Sequence, residues 1–319
     1  MSEGGETKKK SKGAPQGGAM DFLIDFMAGG VSAAIAKTCT APIERVKILI
    51  QTQDANPKII SGEIKRYNGI VDCFRRVNSE QGFSAFWRGN FTNIIRYFPT
   101  QAFNFAFKET FKKPFPKYNP KTDFGKFFLV NMASGGLAGA ASLCIVYPLD
   151  YARTRLASDV GKGKEQVFSG LMDCLRKTAN GPRGFFSLYN GFGVSVAGII
   201  PYRGVYFGMY DSLRTKNPYK NEHGVRGLLS KFAIAQFVAI SAGYASYPMD
   251  TIRRRLQMQS ERPPEQWKYK GTVDCFNQIL KNEGGKAFFK GAGANALRTV
   301  GSALVLVLYD EIKGFFVHH

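Results

Sequence analysis

Groups that perform acid–base or metal chemistry are scarce in this sequence. It holds three histidines among 319 residues, and two of them, His318 and His319, are terminal. No G-x-x-x-x-G-K-[ST] loop occurs, and no G-x-G-x-x-G stands between a strand and a helix, so the common phosphate loops of nucleotide enzymes are excluded. No catalytic triad or metal-ligand cluster can be assembled. The sequence therefore predicts a protein that is not an enzyme and needs neither a metal nor a cofactor.

Cysteines are also few, and their number is odd. Of the five, Cys73, Cys174 and Cys275 are each 101 residues apart and stand in similar tetrapeptides, so they are copies of one position. No two cysteines have the spacing of metal ligands. The sequence therefore predicts reduced, structural thiols, and it argues against a disulfide framework.

An apolar leader is absent from the first residues. Residues 1–20 are polar and rich in lysine; they contain Glu3 and Glu6 and no arginine, which is atypical of a secretory or mitochondrial leader. We expect these residues to form a disordered basic tail, and we expect any targeting signal to lie inside the chain.

Acidic residues are in short supply, with 24 against 44 basic ones and a net charge of +20. Anionic lipid, nucleic acid and an anionic small molecule all fit that excess, and composition alone leaves the three open. Charge is missing altogether from residues 127–148 and 232–249, which are long enough to approach a bilayer span. These uncharged runs make a soluble nucleic-acid binder a poor interpretation, and they predict an integral membrane protein that binds no nucleic acid.

A hexapeptide that the chain does contain occurs three times, as PIERVK (42–47), PLDYAR (148–153) and PMDTIR (248–253). The proline of the second hexapeptide comes 106 residues after that of the first, and the proline of the third comes 100 residues after that of the second. Each hexapeptide follows an apolar run rich in glycine and alanine. Three copies in register indicate a triplicated unit. We assign a tail at residues 1–20 and repeats at residues 21–123, 124–226 and 227–319.

Each repeat has the pattern of a long helix, a polar loop, a short helix and a second long helix. In the first repeat these helices are predicted over residues 22–52, 70–80 and 92–115, with a kink at Pro42. Two long helices per repeat give six membrane spans. The predicted fold is an all-α membrane protein, in which three repeats form a pseudo-threefold bundle with three short helices around a central cavity.

The acid and base of each hexapeptide are three residues apart and share one helix face. A pair within each helix is one explanation. It does not explain why the charges follow a proline inside an apolar span, where unpaired charges are costly. We therefore predict a closed ring of ion pairs between neighbouring repeats, which acts as a gate: Glu44–Arg153, Asp150–Arg253 and Asp250–Lys47.

A second threefold set of charges lies on the other long helix of each repeat. Up-and-down topology places it at the opposite mouth of the cavity, and two gates that open in turn are the minimum for alternating access. Its members are Lys108, Glu109, Lys112, Tyr210, Asp211, Arg214, Tyr309, Asp310 and Lys313.

Positions at which the repeats disagree are the candidates for substrate binding, because a small ligand lacks threefold symmetry. Arg96, for example, is matched by Gly198 in the second repeat. Cations inside apolar helices that lack a repeated partner predict an anion site, either for polyphosphate or for carboxylate. Tyr202, Tyr206 and Ile199 could supply a face for a base. The cations are Lys37, Arg96, Arg203 and Arg298.

The three P-x-[DE]-x-x-[KR] motifs and the second set of charges resemble the mitochondrial carrier family over about residues 21–316. The segments IRYFPTQ (95–101), NFAFK (104–108), RTRL (153–156) and DVGKG (159–163) are similar to those of its members that exchange ADP and ATP. The resemblance implies one-for-one exchange of ADP for ATP by a monomer in the mitochondrial inner membrane. It also implies that both termini lie on the intermembrane-space side.

The resemblance further assigns roles to individual residues. The proline-linked gate would face the matrix, braced by Gln51, and the second gate would face the cytoplasm. Structural cardiolipin would bind at the starts of the short helices, near Gly69, Gly170 and Gly271. The implied substrate contacts are Lys37, Arg96, Asn104, Gly198, Ile199, Tyr202, Ser246, Arg254 and Arg298.

One segment departs from the family pattern. Where the ADP/ATP-exchanging members have RRRMMM, this chain has RRRLQM at residues 253–258, so Leu256 and Gln257 replace two methionines. Gln257 follows Arg253 by four residues, as Gln51 follows Lys47, which suggests a second brace. The departure motivates one alternative, a carrier of the same fold for another adenine nucleotide or anion. A second alternative is a membrane protein that binds nucleotide without transporting it.

Overall fold

The computed structural model describes residues 19–116, 118–119, 122–162, 165–219, 222 and 224–317. Within this range, the side chains of residues 19–25, 108–109, 124, 211 and 308–317 are not described. Of the basic tail predicted over residues 1–20, residues 1–18 lie outside the described residues, and residues 19–20 begin the first helix.

The described residues form α-helices joined by short turns, and they contain no β-strand. Apolar and small residues dominate the long helices, and the predicted order of long, short and long helix recurs in each repeat. The helices are α1 Ala19–Thr52, α2 Pro57–Ile60, α3 Ile70–Arg76, α4 Asn90–Lys112, α5 Phe124–Ser158, α6 Leu171–Ala179, α7 Phe192–Lys216, α8 Val225–Met258, α9 Thr272–Glu283 and α10 Ala292–Val317.

The six long helices close into a bundle. α4 packs against α5, α7 against α8 and α10 against α1, so that each repeat contacts the next and the third contacts the first. The helices that carry the proline motifs, α1, α5 and α8, also touch one another. All three continue through Pro42, Pro148 and Pro248. The motifs therefore lie where three helices converge, which is the arrangement that a pseudo-threefold bundle requires.

Glycines with positive φ precede α4, α7 and α10. Gly89, Gly191 and Gly291 have φ of 81°, 81° and 83°, a region that favours glycine. A Cβ at each would lie 3.0 Å from the backbone oxygen of Arg153, Arg253 and Lys47, respectively. These close approaches show that α4, α7 and α10 begin at the end where the motif helices finish. Ala19 and Val317 consequently lie at the opposite end of the bundle.

The short helices α3, α6 and α9 cover the end where the motif helices finish. Each packs against the motif helix of its own repeat and buries its cysteine, Cys73, Cys174 or Cys275, completely. Burial raises the pKa of each of these thiols to about 12. All five cysteines are free in the structure; these three belong to hydrophobic clusters, whereas Cys39 and Cys144 are exposed.

Three segments within the described residues are long and apolar enough to cross a membrane: Gly125–Ser158, Gly184–Lys216 and Val225–Met258. The other three long helices, α1, α4 and α10, each carry charged residues within their length. Their outward faces nevertheless present large apolar side chains, among them Met27, Val31, Phe91 and Leu297. Such an exposed apolar surface suits a bundle surrounded by lipid.

Candidate substrate cavity and gates

The charges of the three hexapeptides form a ring between the repeats, which we call the ion-pair ring. Lys47 Nζ lies 3.1 Å from Asp250 Oδ2 and joins the first repeat to the third. Arg153 contacts Glu44 directly, and Arg253 contacts Asp150 in the same way. The pairing that the spacing predicts is therefore present, with each base bound to the acid of another repeat. Its role as a gate stays a prediction.

Neutral side chains hold two acids of the ion-pair ring in place. Gln51 Nε2 donates to Asp250 Oδ2 at 3.2 Å and to Thr251 Oγ1 at 2.9 Å, which is the position expected of a brace. Asn93 Nδ2 donates to Glu44 Oε2 at 3.1 Å. Asn93 was missed at the sequence level, because an asparagine at the start of α4 carries no charge that would mark it.

Gln257 reaches the ion-pair ring by a different route from Gln51. Its Nε2 donates to the hydroxyl of Tyr147 at 3.2 Å and not to a carboxylate of the ring. The guanidinium of Arg253 stands 5.4 Å from the centroid of the Tyr147 aromatic ring. Gln257 thus supports a base of the ion-pair ring through a tyrosine, which differs from the predicted brace on a carboxylate that Gln51 provides.

A cavity of about 460 Å³ lies directly above the ion-pair ring, with Lys47, Asp250 and Arg253 at its floor. This volume falls in the range of small-molecule sites. The residues on its wall come from α4, α5, α7, α8 and α10. Seven of the nine implied substrate contacts are among them: Arg96, Asn104, Gly198, Ile199, Tyr202, Ser246 and Arg298.

Arg96, Arg203 and Arg298 line the cavity and contribute to its positive charge. Arg96 Nη1 is 3.6 Å from Asp150 Oδ1, on the far side of that carboxylate from Arg253. Arg298 Nη2 donates to the neutral Asn295 Oδ1 at 3.3 Å. Because Asp150 already binds Arg253 and Asn295 carries no charge, the positive charge in the cavity exceeds the negative charge. Guanidinium groups in such a site favour phosphate or carboxylate.

A second chamber of about 630 Å³ continues from the cavity toward the opposite end and shares Asn104 and Arg203 with it. Tyr202, Tyr206 and Tyr210 stack along α7, with ring centroids 6.1 Å and 5.9 Å apart. Since Tyr202 lines the cavity while Tyr206 and Tyr210 line the chamber, an aromatic face leads from the opposite end down to the ion-pair ring.

Two of the implied substrate contacts lie off the cavity wall. Lys37 Nζ donates to Asn93 Oδ1 at 3.4 Å and stands 5.2 Å from the centroid of Tyr97. Arg254 Nε donates to Asp250 Oδ2 at 3.2 Å, and its Nη1 donates to Thr154 Oγ1 at 3.4 Å. Arg254 immediately follows Arg253 on the helix, so it points between neighbouring helices and strengthens the ion-pair ring.

The predicted second gate falls largely on side chains outside the described residues. These are Lys108, Glu109, Asp211, Tyr309, Asp310 and Lys313. Of the remaining members, Lys112 and Arg214 are exposed and Tyr210 lines the outer chamber. The second gate stays a prediction.

The glycines predicted to bind lipid precede the short helices. Gly69, Gly170 and Gly271 stand immediately before α3, α6 and α9, and a Cβ at any of them would meet open space. The space beside these helix starts is compatible with a lipid phosphate, but cardiolipin binding stays a prediction. Among the residues that the structure describes, no three His, Cys, Asp or Glu side chains converge as a metal site.

A family model described as mitochondrial carrier protein matches residues 18–119, 125–220 and 225–319. The chain belongs to the mitochondrial carrier family. This carrier is therefore a transporter built from three repeats and not an enzyme, as its lack of a catalytic cluster had suggested. The all-α membrane fold predicted from the sequence is confirmed.

Individual relatives of this carrier are similar over nearly their whole length. An "ADP,ATP carrier protein" of Parachlorella kessleri is 60% identical over 298 residues, which cover 93% of this chain and 86% of the relative. An "ADP/ATP translocase 3" of Homo sapiens is 55% identical over 298 residues, covering 92% and 98%. An "ADP/ATP translocase 4" of Mus musculus is 53% identical over 311 residues, covering 97% and 95%.

Proposed function

We propose that this carrier exchanges ADP for ATP, one for one, across the mitochondrial inner membrane. The observation that carries the proposal is the cavity with unbalanced cations, Arg96 and Arg298, directly above the closed ion-pair ring. Guanidinium groups bind the phosphates, and Tyr202 and Ile199 offer an apolar face to the base. The names of relatives that are 53–60% identical support these two nucleotides as the substrates.

Exchange proceeds by alternating access. In the state described, the ion-pair ring closes the floor of the cavity, and the nucleotide enters from the opposite end. Binding of its phosphates by Arg96 and Arg298 draws Arg96 away from Asp150 and offsets the cost of breaking the ion pairs. The second set of charges then closes behind the nucleotide. Because the ion pairs of either gate stay open only while nucleotide is bound, the passage of one nucleotide is coupled to the return of another.

Exchange is electrogenic, because ATP carries one more negative charge than ADP when neither is bound to magnesium. A membrane potential of about 100 mV then contributes about 2.3 kcal/mol to each exchange. The motif end faces the matrix in this proposal, so both termini face the intermembrane space. Cardiolipin binds near Gly69, Gly170 and Gly271, and the carrier works as a monomer.

A carrier of the same fold with another nucleotide or anion as substrate is the second candidate, since Leu256 and Gln257 depart from the family pattern. Leu256 packs in the hydrophobic cluster around Cys275, and Gln257 binds Tyr147. Neither residue lines the cavity. The departure therefore changes the support of the ion-pair ring and leaves the nucleotide contacts unaltered, which favours ADP and ATP.

Liposomes that contain the purified carrier and are loaded with ADP test the proposal. We expect rapid uptake of external ATP that requires internal ADP and that stops when magnesium complexes the nucleotides. Strong uptake of magnesium-bound ATP or of phosphate, with feeble exchange of the free nucleotides, would identify the second candidate. Nucleotide binding without any flux would show a protein that does not transport.

A further inference from the structure

Three buried arginines take no part in the ion-pair ring or the cavity. Arg45, Arg155 and Arg255 are 1%, 3% and 0% exposed, and burying a guanidinium is costly unless it is paired. Arg155 and Arg255 both stand seven residues after the motif proline, but Arg45 stands only three after Pro42. Because of this difference in register, an alignment of the repeats does not show the three arginines at one position. The side chains of all three nevertheless contact the following repeat, the third repeat being followed by the first.

Arg155 joins the second repeat to the third. Its guanidinium contacts the carboxylate of Glu261, and its Nη1 donates to the backbone oxygen of Met258 at 3.3 Å. Glu261 comes three residues after α8 ends, in the loop that leads to α9. The contact therefore fastens α5 to the C-terminal end of α8.

Arg255 joins the third repeat to the first. Its Nη2 donates to Asp54 Oδ2 at 3.1 Å, and Lys290 of the third repeat contacts the same carboxylate. Asp54 is 6% exposed and comes two residues after α1 ends. Arg255 also binds Glu283 of its own repeat. Arg66 of the first repeat contacts Asp54, so this seam contains two carboxylates and three bases.

Arg45 joins the first repeat to the second. Its Nη2 donates to the backbone oxygen of Asp159, the residue after α5, at 2.7 Å, and to Gln81 Oε1 at 2.6 Å. The three arginines thus connect the repeats in the cyclic order of the ion-pair ring. They do so farther from the cavity, at residues just beyond the ends of the motif helices. We call these arginines and their partners the arginine layer.

A comparison of the repeats explains why Arg155 depends on Glu261. The residue before the positive-φ glycine that follows each short helix is Gln81, Arg183 or Glu283. Gln81 accepts from Arg45, and Glu283 accepts from Arg255. In the second repeat this position holds the base Arg183, so Arg155 finds its carboxylate in the next repeat instead.

We propose that the arginine layer is a second lock on the motif end, and that Arg155 and Glu261 are positioning residues that set how readily this end opens. When the motif helices separate, their C-terminal ends must part, and the contacts of the layer must break together with the ion-pair ring. Breaking Arg155–Glu261 leaves a guanidinium without its carboxylate, which opposes opening. The proposal rests on the alternating opening of the proposed function, but not on which substrate crosses.

The test measures opening at a seam remote from Glu261. Thr52, the last residue of α1, is fully buried, and its hydroxyl donates only to Ile48 O of its own helix. In full-length protein in lipid nanodiscs, with Cys39 and Cys144 changed to Ser, the Thr52→Cys thiol serves as a reporter for a water-soluble maleimide. We expect Glu261→Gln to speed maleimide labelling of the Thr52→Cys thiol about tenfold. The expected change is moderate because Glu261 is partly exposed, and a partly exposed carboxylate stabilises an ion pair less than a fully buried one.

Glu265→Gln is the matched control, because Glu265 lies in the same loop and is exposed. It should label at the rate of the parent. The exchanged pair Arg155→Glu with Glu261→Arg should return the rate toward the parent. Equal labelling of the Glu261→Gln and Glu265→Gln variants, at unchanged melting temperature, would overturn the proposal even if the exchanged pair failed to fold. No nucleotide is present, so failure of ADP/ATP exchange in liposomes would leave this result intact.

Discussion

The side chains that the structure describes at the two ends of the bundle differ in how they join the repeats. At the motif end, the ion-pair ring, the Gln51 and Asn93 hydrogen bonds and the arginine layer join all three repeats. At the opposite end, a chamber of about 630 Å³ leads out past Tyr210, and Lys112 is exposed. Among the described side chains, inter-repeat polar contacts are thus concentrated at the motif end, where we expect the barrier to transport to lie.

This contrast also separates symmetric from asymmetric residues. The acids and bases of the ion-pair ring recur in all three repeats, because closing a threefold opening requires the same contact at each seam. Residues that charge the cavity, such as Arg96 and Arg298, occur once each. Substitutions at the motif end should therefore change when the carrier opens, whereas substitutions in the cavity should change what it binds.

The largest effect is expected from reversing one charge of the ion-pair ring. Asp150→Arg places a base against Arg253 and Arg96, so we expect exchange of ADP and ATP in liposomes to be abolished. Adding Arg253→Asp recreates an opposite pair and should restore part of the exchange. A folded double variant with no recovery would argue against pairing between these repeats.

The next effect concerns the cavity. Arg298→Ala removes a cation whose hydrogen bond goes to a neutral amide, so we expect exchange to fall by about 10-fold to 100-fold, the range of one charged hydrogen bond. The melting temperature without nucleotide should change little, but the rise that ADP causes should disappear. Lys216→Ala, at the exposed end of α7, is the control. An unchanged response to ADP in Arg298→Ala would remove Arg298 from the binding site.

A smaller effect distinguishes the two glutamines at the motif end. Gln51→Leu removes two hydrogen bonds, one of them to a carboxylate of the ion-pair ring, and should destabilise the closed state by about 1–3 kcal/mol. Gln257→Leu removes one bond to a tyrosine and should cost less. Melting temperatures in the same detergent compare them directly. Equal losses would mean that the indirect support through Tyr147 is as strong as the direct one.

The smallest effect depends on pH. Burial opposes ionisation of Glu283, but Arg255 and Lys290 outweigh it and lower its pKa from 4.5 to about 2. Stability from this carboxylate is therefore complete above pH 4.5 and is lost as the pH falls through about 2. Glu283→Gln should lower the melting temperature at neutral pH and flatten its decline in acid. A decline as steep as that of the parent would assign the acid sensitivity to other groups.

Much of the fold follows from the sequence because the relevant signals are repeated. The motif proline and the glycine before the second long helix occur once per repeat, and apolar runs recur in each, so each repeat corroborates the helices of the other two. The ion-pair ring could be predicted for the same reason, since three acids and three bases at equal spacing favour a cyclic pairing between neighbouring repeats. The second gate could be predicted equally well, but its side chains lie mostly outside the described residues.

The remaining contacts depend on details that the pattern does not contain. Arg254 directly follows Arg253, and only helix packing decides that one faces the axis and the other Thr154. Gln257 has the spacing of Gln51, but its amide donates to the hydroxyl of Tyr147. The repeat pattern does not predict the arginine layer, because Arg45 is one helical turn out of register with Arg155 and Arg255.

The glycines before α4, α7 and α10 have a consequence for mutational tolerance. At positions 89, 191 and 291 any side chain would be strained by its backbone and would press on the main chain of the next repeat, where no rotamer can relieve it. A saturation screen should therefore find three intolerant positions, 102 and 100 residues apart, on a background of permissive lipid-facing sites. The growth phenotypes of the substituted variants would then be enough to show that the chain is triplicated.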